Sequence, residues 1–174
     1  MKKIIVNKLL RIIKNKKKLE KELDIKIEMR GREIYISGES EKEYVAEKVI
    51  EALDFGFPFS NALEIKRENF IFEVLNIKEF STQKNFERLR GRIIGKEGRA
   101  LKTISNLSEC YMELLGNKIG IIGDVENIRN VEESLKLLIK GSKHSNVYAY
   151  LEKHRIKPII DLGLKEINKS NNFK

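Results

Sequence analysis

Gly95-Lys96-Glu97-Gly98 stands between Gly91-Arg92-Ile93-Ile94 and Arg99-Ala100-Leu101-Lys102, and the chain's capacity for chemistry concentrates there. Glycine at both ends of a short loop lets the main chain approach a sugar-phosphate backbone, because no Cβ obstructs it. A loop that opens onto a helix adds unpaired amides and the positive end of the helix dipole, both of which favour a phosphate. Lys96 at the tip, with Arg99, Lys102, Arg90 and Arg92 nearby, supplies mobile positive charge. Ile93, Ile94 and Leu101 are candidates for the apolar wall of a groove, with the segment Cys110 to Leu115 opposite. Such a groove suits a single strand, since the bases of a duplex are not free to insert. Glu97 is the one acid among these residues. It is expected in the first turn of the following helix, where an acid is favourable, and pointing away from the groove.

Little else in the chain offers chemistry. His144 and His154 are the only histidines and Cys110 the only cysteine, so Cys and His cannot assemble a metal site or an intramolecular disulfide. Neither a Ser-His-Asp arrangement nor a phosphate-loop lysine motif occurs, and Cys110 reads as a small core residue. No enzyme activity and no cofactor are expected. Thirty-five lysines and arginines stand against 26 acids, a net charge of +9 that points to a polyanionic partner. The start, MKKIIVNKLLRIIKNKKKL, is basic and apolar but is interrupted by Asn7, Lys8 and Arg11, with no small-residue cleavage site after it. It is not read as a signal peptide. No run approaches the ~18 apolar residues of a membrane span. A soluble, cytoplasmic protein without a membrane partner is expected.

The elements that must position the loop follow from an internal repeat. Asp24 to Leu53 and Glu109 to Leu138 align at one fixed offset, matching Gly31 with Gly116, Ile34 with Ile119, Ile36 with Ile121, Gly38 with Gly123 and Leu53 with Leu138. One spacing kept over glycines and apolar positions together argues for two copies of one unit. Each copy reads as strand, tight turn, strand, helix; the helix stripes are Ala46, Val49, Ile50, Leu53 and Ile128, Val131, Leu135, Leu138. Before the second copy, Phe70 to Asn76 reads as a strand, Phe86 to Ile94 as a helix with Phe86, Leu89 and Ile93 on one face, and Arg99 to Leu107 as a second helix with Leu101, Ile104 and Leu107 inward. The order is β-α-α-β-β-α, an α+β unit whose two helices are joined through the glycine loop. Ser60 and Ser145 are expected to cap helices. Tyr148 and Tyr150 are expected to pack, as are the connector's phenylalanines, between the two units. The tail from Asn168 to Lys174 is expected to be disordered.

GRIIGKEGR (Gly91 to Arg99), KIGIIGD (Lys118 to Asp124), GSKHSNVYAYLEKHR (Gly141 to Arg155) and the connector DFGFPFSNAL resemble the two-KH-domain ribosome-biogenesis factors of archaea and eukaryotes, known in eukaryotes as partner-of-Nob proteins and partners of the rRNA dimethylase. The resemblance implies tandem type I KH domains with a C-terminal helical extension. It divides the chain into a degenerate KH domain (1–55), a connector (56–68), a KH domain with the glycine loop (69–141) and the extension and tail (142–174). It implies binding of single-stranded RNA, the 3′ end region of small-subunit rRNA, and assembly-factor partners such as the endonuclease that trims that end. In the first unit Ile13 aligns with Ile94 and Ile27 with Met112, which leaves it four residues short at the loop, with Lys14-Asn15-Lys16-Lys17-Lys18 in place of glycine. Two other readings stay open: a protein-binding adaptor and a KH-containing RNA-decay subunit, either with a vestigial RNA site.

Overall fold

Alternate residues between Lys26 and Ser37 are apolar, and only Gly31-Arg32 interrupts them. The run folds into the hairpin β2 (Lys26–Arg30) and β3 (Glu33–Ser37), with Ile27, Ile34 and Ile36 buried on one face. The computed structural model describes residues 1–81 and 85–155. In it β1 (Lys2–Ile5) pairs antiparallel with β3, giving the sheet order β1-β3-β2. Helices α1 (Leu9–Leu23) and α2 (Ser40–Phe55) bury Ile12, Leu19, Val49 and Leu53 in the same core. The connector holds a short helix, α3 (Phe59–Leu63), and a single 3-10 turn, Glu64–Lys66.

The second sheet, β4 (Phe70–Asn76), β5 (Tyr111–Leu115) and β6 (Lys118–Asp124), has the order β4-β6-β5. Helices α5 (Phe86–Ile94), α6 (Arg99–Ser108) and α7 (Val125–Ile139) share the core on its inner face, α8 (His144–His154) packs on α6 and α7, and one turn of helix, α4 (Ile77–Phe80), follows β4. Asp124 caps α7, its Oδ1 accepting from the Glu126 amide at 3.0 Å. Ser60 and Ser145 are not caps. Each sits inside the first turn of its helix, and Pro58 and Lys143 hold the cap positions without a side-chain bond.

The repeat appears as one hydrogen-bonding register. Ile27 faces Ile36 as Met112 faces Ile121, and Arg30 faces Glu33 as Leu115 faces Lys118. Ile4 faces Ile34 as Leu75 faces Ile119, a step of 71 residues on the first strand against 85 on the other two. The first unit is therefore fourteen residues shorter between its first and second strands, which extends the shortfall beyond the four residues counted at the loop. A single 15-residue helix, α1, stands where the second unit has α4, α5, the loop and α6. The lysine run Lys14–Lys18 lies in the middle of that helix, because neither glycine nor proline interrupts Leu9 to Leu23 and Ile12, Leu19 and Leu23 share its buried face.

The two sheets meet through the connector. Phe55, Phe57 and Phe72 form an aromatic cluster with ring centroids 5.8–6.0 Å apart, and Phe57 is buried with Ile122 in the first core. Strand β6 is consequently covered on both faces, Ile119 and Ile121 by the helices of its own unit and Ile122 by the first. Gly120 makes that approach possible: a Cβ there would lie 2.8 Å from ring carbons of both Phe55 and Phe57.

Candidate nucleic-acid interface

The second core positions the loop. Leu89 and Ile93 of α5 and Ile104 of α6 are buried against Met112, Ile121, Val131 and Leu135, so the two helices leave the core at one edge and the chain turns between them. Asn85 caps α5 by accepting from the Arg88 amide at 3.1 Å. The helix ends at Gly95, whose φ of 72° and ψ of 177° belong to a region open essentially to glycine alone. A Cβ there would lie 2.5 Å from the Ala100 Cβ and 2.8 Å from the Ala100 nitrogen, so Gly95 lets the loop fold back onto the start of α6. Lys96 to Gly98 form a tight turn in which Glu97 and Gly98 are both left-handed, with the Gly98 amide donating to the Gly95 carbonyl at 3.3 Å. Gly98 is left-handed (φ 74°) with open space where a Cβ would stand, and no side chain caps α6. The main chain at the mouth of α6 is thus free of side-chain cover, which is what a backbone approach requires.

The expected site residues divide. Lys96, Arg99 and Lys102 are exposed, and among the described residues neither the Lys96 nor the Lys102 ammonium has a hydrogen-bond or ion-pair partner. Glu97 lies outside α6, in the turn, with left-handed geometry (φ 54°), and its Oε2 accepts from Arg99 Nη2 at 2.7 Å. It tethers the neighbouring guanidinium instead of supporting a helical turn. Ile93 is wholly buried and cannot form a groove wall, because its side chain is spent on the core. Ile94 and Leu101 are half-buried and keep open surface. Arg92 is also committed elsewhere: its Nη2 donates to the Ser142 carbonyl at 2.6 Å and its Nε is buried. Leu114 lies in the segment expected opposite the groove wall, although the sequence reading does not single it out. It shares the helix-facing side of β5 with Met112, next to α6, and it too is half-buried; strand alternation from Met112 would have indicated it.

Other tempting groups have structural occupations. Burial pushes the Cys110 thiol up to about 12, which removes it as a nucleophile at neutral pH. Tyr148 and Tyr150 pack on the second core. Among the described residues no group of three or more His, Cys, Asp or Glu can hold a metal ion, and no helix is long and apolar enough to cross a membrane. A cleft of about 1210 Å³ opens at the far end of α6, between Arg67, Phe70, Ser105, Asn106, Tyr111 and Arg129, and includes none of the loop residues. Its lining pairs Arg67 and Arg129 with Glu109, Asp124 and Glu126, a mixed charge that gives a polyanion no net attraction. The residues Asn168 to Lys174 lie outside the described part of the chain.

Residues 71–156 match the family model of the eukaryotic-type KH domain (KH domain type I) in its PNO1 second-domain form. A KH domain-containing protein of Methanocaldococcus jannaschii is 30% identical over 149 residues, covering 82% of this chain and 66% of its own. The pre-rRNA-processing protein pno1 of Emericella nidulans is 31% identical over 111 residues, 62% of this chain and 43% of its own. The chain thus spans just under two thirds of the first of these relatives and less than half of the second. A chain in the crystal structure of an a/eIF2alpha–aDim2p–rRNA complex from Pyrococcus horikoshii superposes with a TM-score of 0.78 at 26% identity, over 88% of this chain and 93% of that one. These PNO1 and Dim2 relatives are RNA-binding proteins of ribosome biogenesis, a non-enzymatic class.

Proposed function

We propose, for a chain that is a KH protein of the PNO1/Dim2 type, that it grips a single strand of RNA at the loop Gly95 to Gly98. The observation that carries the reading is the bare main chain at the mouth of α6, with Gly98 uncapped, Gly95 folded tight onto Ala100 and an unpaired Lys96 at the tip. Backbone amides and Lys96 meet phosphates, while the open parts of Ile94, Leu101 and Leu114 meet bases, over about four nucleotides. Arg99 joins them when it leaves Glu97.

The finer parts of the reading rest on the family resemblance of the sequence motifs and on the repeat. The target is the 3′ end region of small-subunit rRNA during subunit maturation in the cytoplasm, and the partners are assembly factors, among them the endonuclease that trims that end. The first unit, which shares the register of the second but has one continuous helix in place of the loop, is a KH-like unit that supports the second or binds protein.

Gly98→Asp is the direct test, because the site has room for a side chain and aspartate tolerates a left-handed backbone better than most residues. In fluorescence anisotropy with a short labelled single-stranded RNA of random sequence, this variant should lose binding by tenfold or more while melting near the wild-type temperature. The duplex form of the same RNA should bind weakly to both proteins. Wild-type affinity in the folded variant would remove the loop from the reading. Crosslinking in cells with sequencing of the bound RNA tests the rRNA target.

A further inference from the structure

The segment Gly141 to Arg155 contributes no residue to the loop, yet it holds both helices that frame it. Helix α5 stops where the chain turns at Gly95, so the carbonyls of its last turn lack the amides that a continuing helix would bring. The Gly95 amide serves the Gly91 carbonyl at 2.8 Å. The Arg92 carbonyl is met by an imidazole instead, with His144 Nε2 at 2.8 Å. A carbonyl only accepts, so Nε2 carries the proton and donates. Arg92 returns the tie through its side chain, Nη2 donating to the Ser142 carbonyl. Three residues beyond His144, α8 buries Val147 and then Leu151 as it packs against α6 and α7. One element is therefore bonded to the helix entering the loop and packed on the helix leaving it.

On the reading that this loop binds single-stranded RNA, we propose that His144 is a positioning residue for it. By capping the last turn of α5, His144 holds Gly95 against Ala100 and so sets the spacing between the two glycines before RNA arrives. Without the cap, α5 frays at its final turn and the loop must be ordered by the ligand, which weakens binding.

The test uses the full chain and three substitutions. Gln carries an amide nitrogen at about the reach of Nε2, whereas Asn and Ala cannot reach the Arg92 carbonyl. His144→Gln should bind a short labelled single-stranded RNA of random sequence as the wild type does, and His144→Asn and His144→Ala about fivefold more weakly, the scale of one hydrogen bond. Without RNA, amide hydrogen exchange at Gly95 and Gly98 should speed up in His144→Asn and His144→Ala and stay slow in His144→Gln. In a Gly98→Asp background, His144→Ala should cost no further affinity, since both act on one loop. Wild-type affinity and unchanged exchange in His144→Asn would overturn the proposal, as would equal losses in Gln and Asn. Gly98→Asp that still binds RNA would instead overturn the site reading, so the two failures are separable.

Discussion

The two glycines of the loop respond differently to a side chain. Gly95 has neither the backbone geometry nor the space for one, so Gly95→Ala should cost about 2 kcal/mol or more in urea unfolding. Gly98 meets nothing within 4 Å, and Gly98→Ala should cost only roughly 1 kcal/mol for its left-handed backbone. A Gly95 variant that lost RNA binding would thus report damage to the loop as much as loss of contact. Glu97 offers a charge test without a backbone change. Glu97→Gln weakens the tie to Arg99, leaving it a neutral acceptor, and removes an anion beside the phosphate path, so binding should tighten about two- to fivefold and fall more steeply with salt, as one more cation engages the RNA. Weaker binding in that variant would mean that the tethered Arg99 is the form that binds. The glycine spacing was legible in the sequence, but the different duties of the two glycines were not, because they depend on how close Ala100 comes. The burial of Ile93 was legible too: it shares one apolar face of its helix with Phe86 and Leu89, and a residue committed to the core has no surface left for a base.

Helix identity and the helix-facing stripes were readable because they depend on local spacing; caps and breaks were less so. The lysine run was read as standing where a loop should be, yet a helix without glycine or proline simply continues through it. Likewise Ser60 and Ser145 looked like caps by residue type, but where a helix starts was decided by Pro58 and by the turn after α7. Helix α7 carries a titration that no local pattern announces. Burial on the sheet, and then the carboxylate of Glu73 on β4, hold the Glu132 carboxyl above its ordinary range. A carboxyl raised in the folded state binds its proton more tightly there than in the unfolded chain. Its contribution is complete below the unfolded value and is lost as pH rises through the folded one. Glu132→Gln removes that loss. The variant should match the wild type in thermal melts at pH 4 and exceed it at pH 7, and a constant gap across that range would mean that the glutamine acts through packing instead.

Over the whole molecule, the repeat was legible in two glycines and a row of isoleucines, and the shared register of the two sheets follows from it. The way the units join was not, since Gly120 reads in a strand as a weak point and its partners lie more than sixty residues earlier in the chain. In the first unit the matching position, 85 residues earlier, is Tyr35, which is half-buried and bonded through its hydroxyl to Glu33; in the second it is the bare surface onto which Phe55 and Phe57 close. Gly120→Ala pushes a methyl to within 2.8 Å of both rings. Rings in a filled cluster cannot both retreat, so the substitution should cost about 1–3 kcal/mol in urea unfolding and expose the connector, residues 56–68, to limited proteolysis. The loop stands on the opposite face of β6, where Ile119 and Ile121 pack with α5 and α6, so RNA affinity measured well below the melting temperature should not change. Trimming the obstructing ring supplies the control. Phe55→Leu alone should destabilise, but combined with Gly120→Ala it should cost less than the two single changes together, because the smaller side chain vacates the space that the methyl needs. Simple additivity would place the strain elsewhere on β6, and an unchanged stability in Gly120→Ala would show that the sheets have freedom to separate without loss.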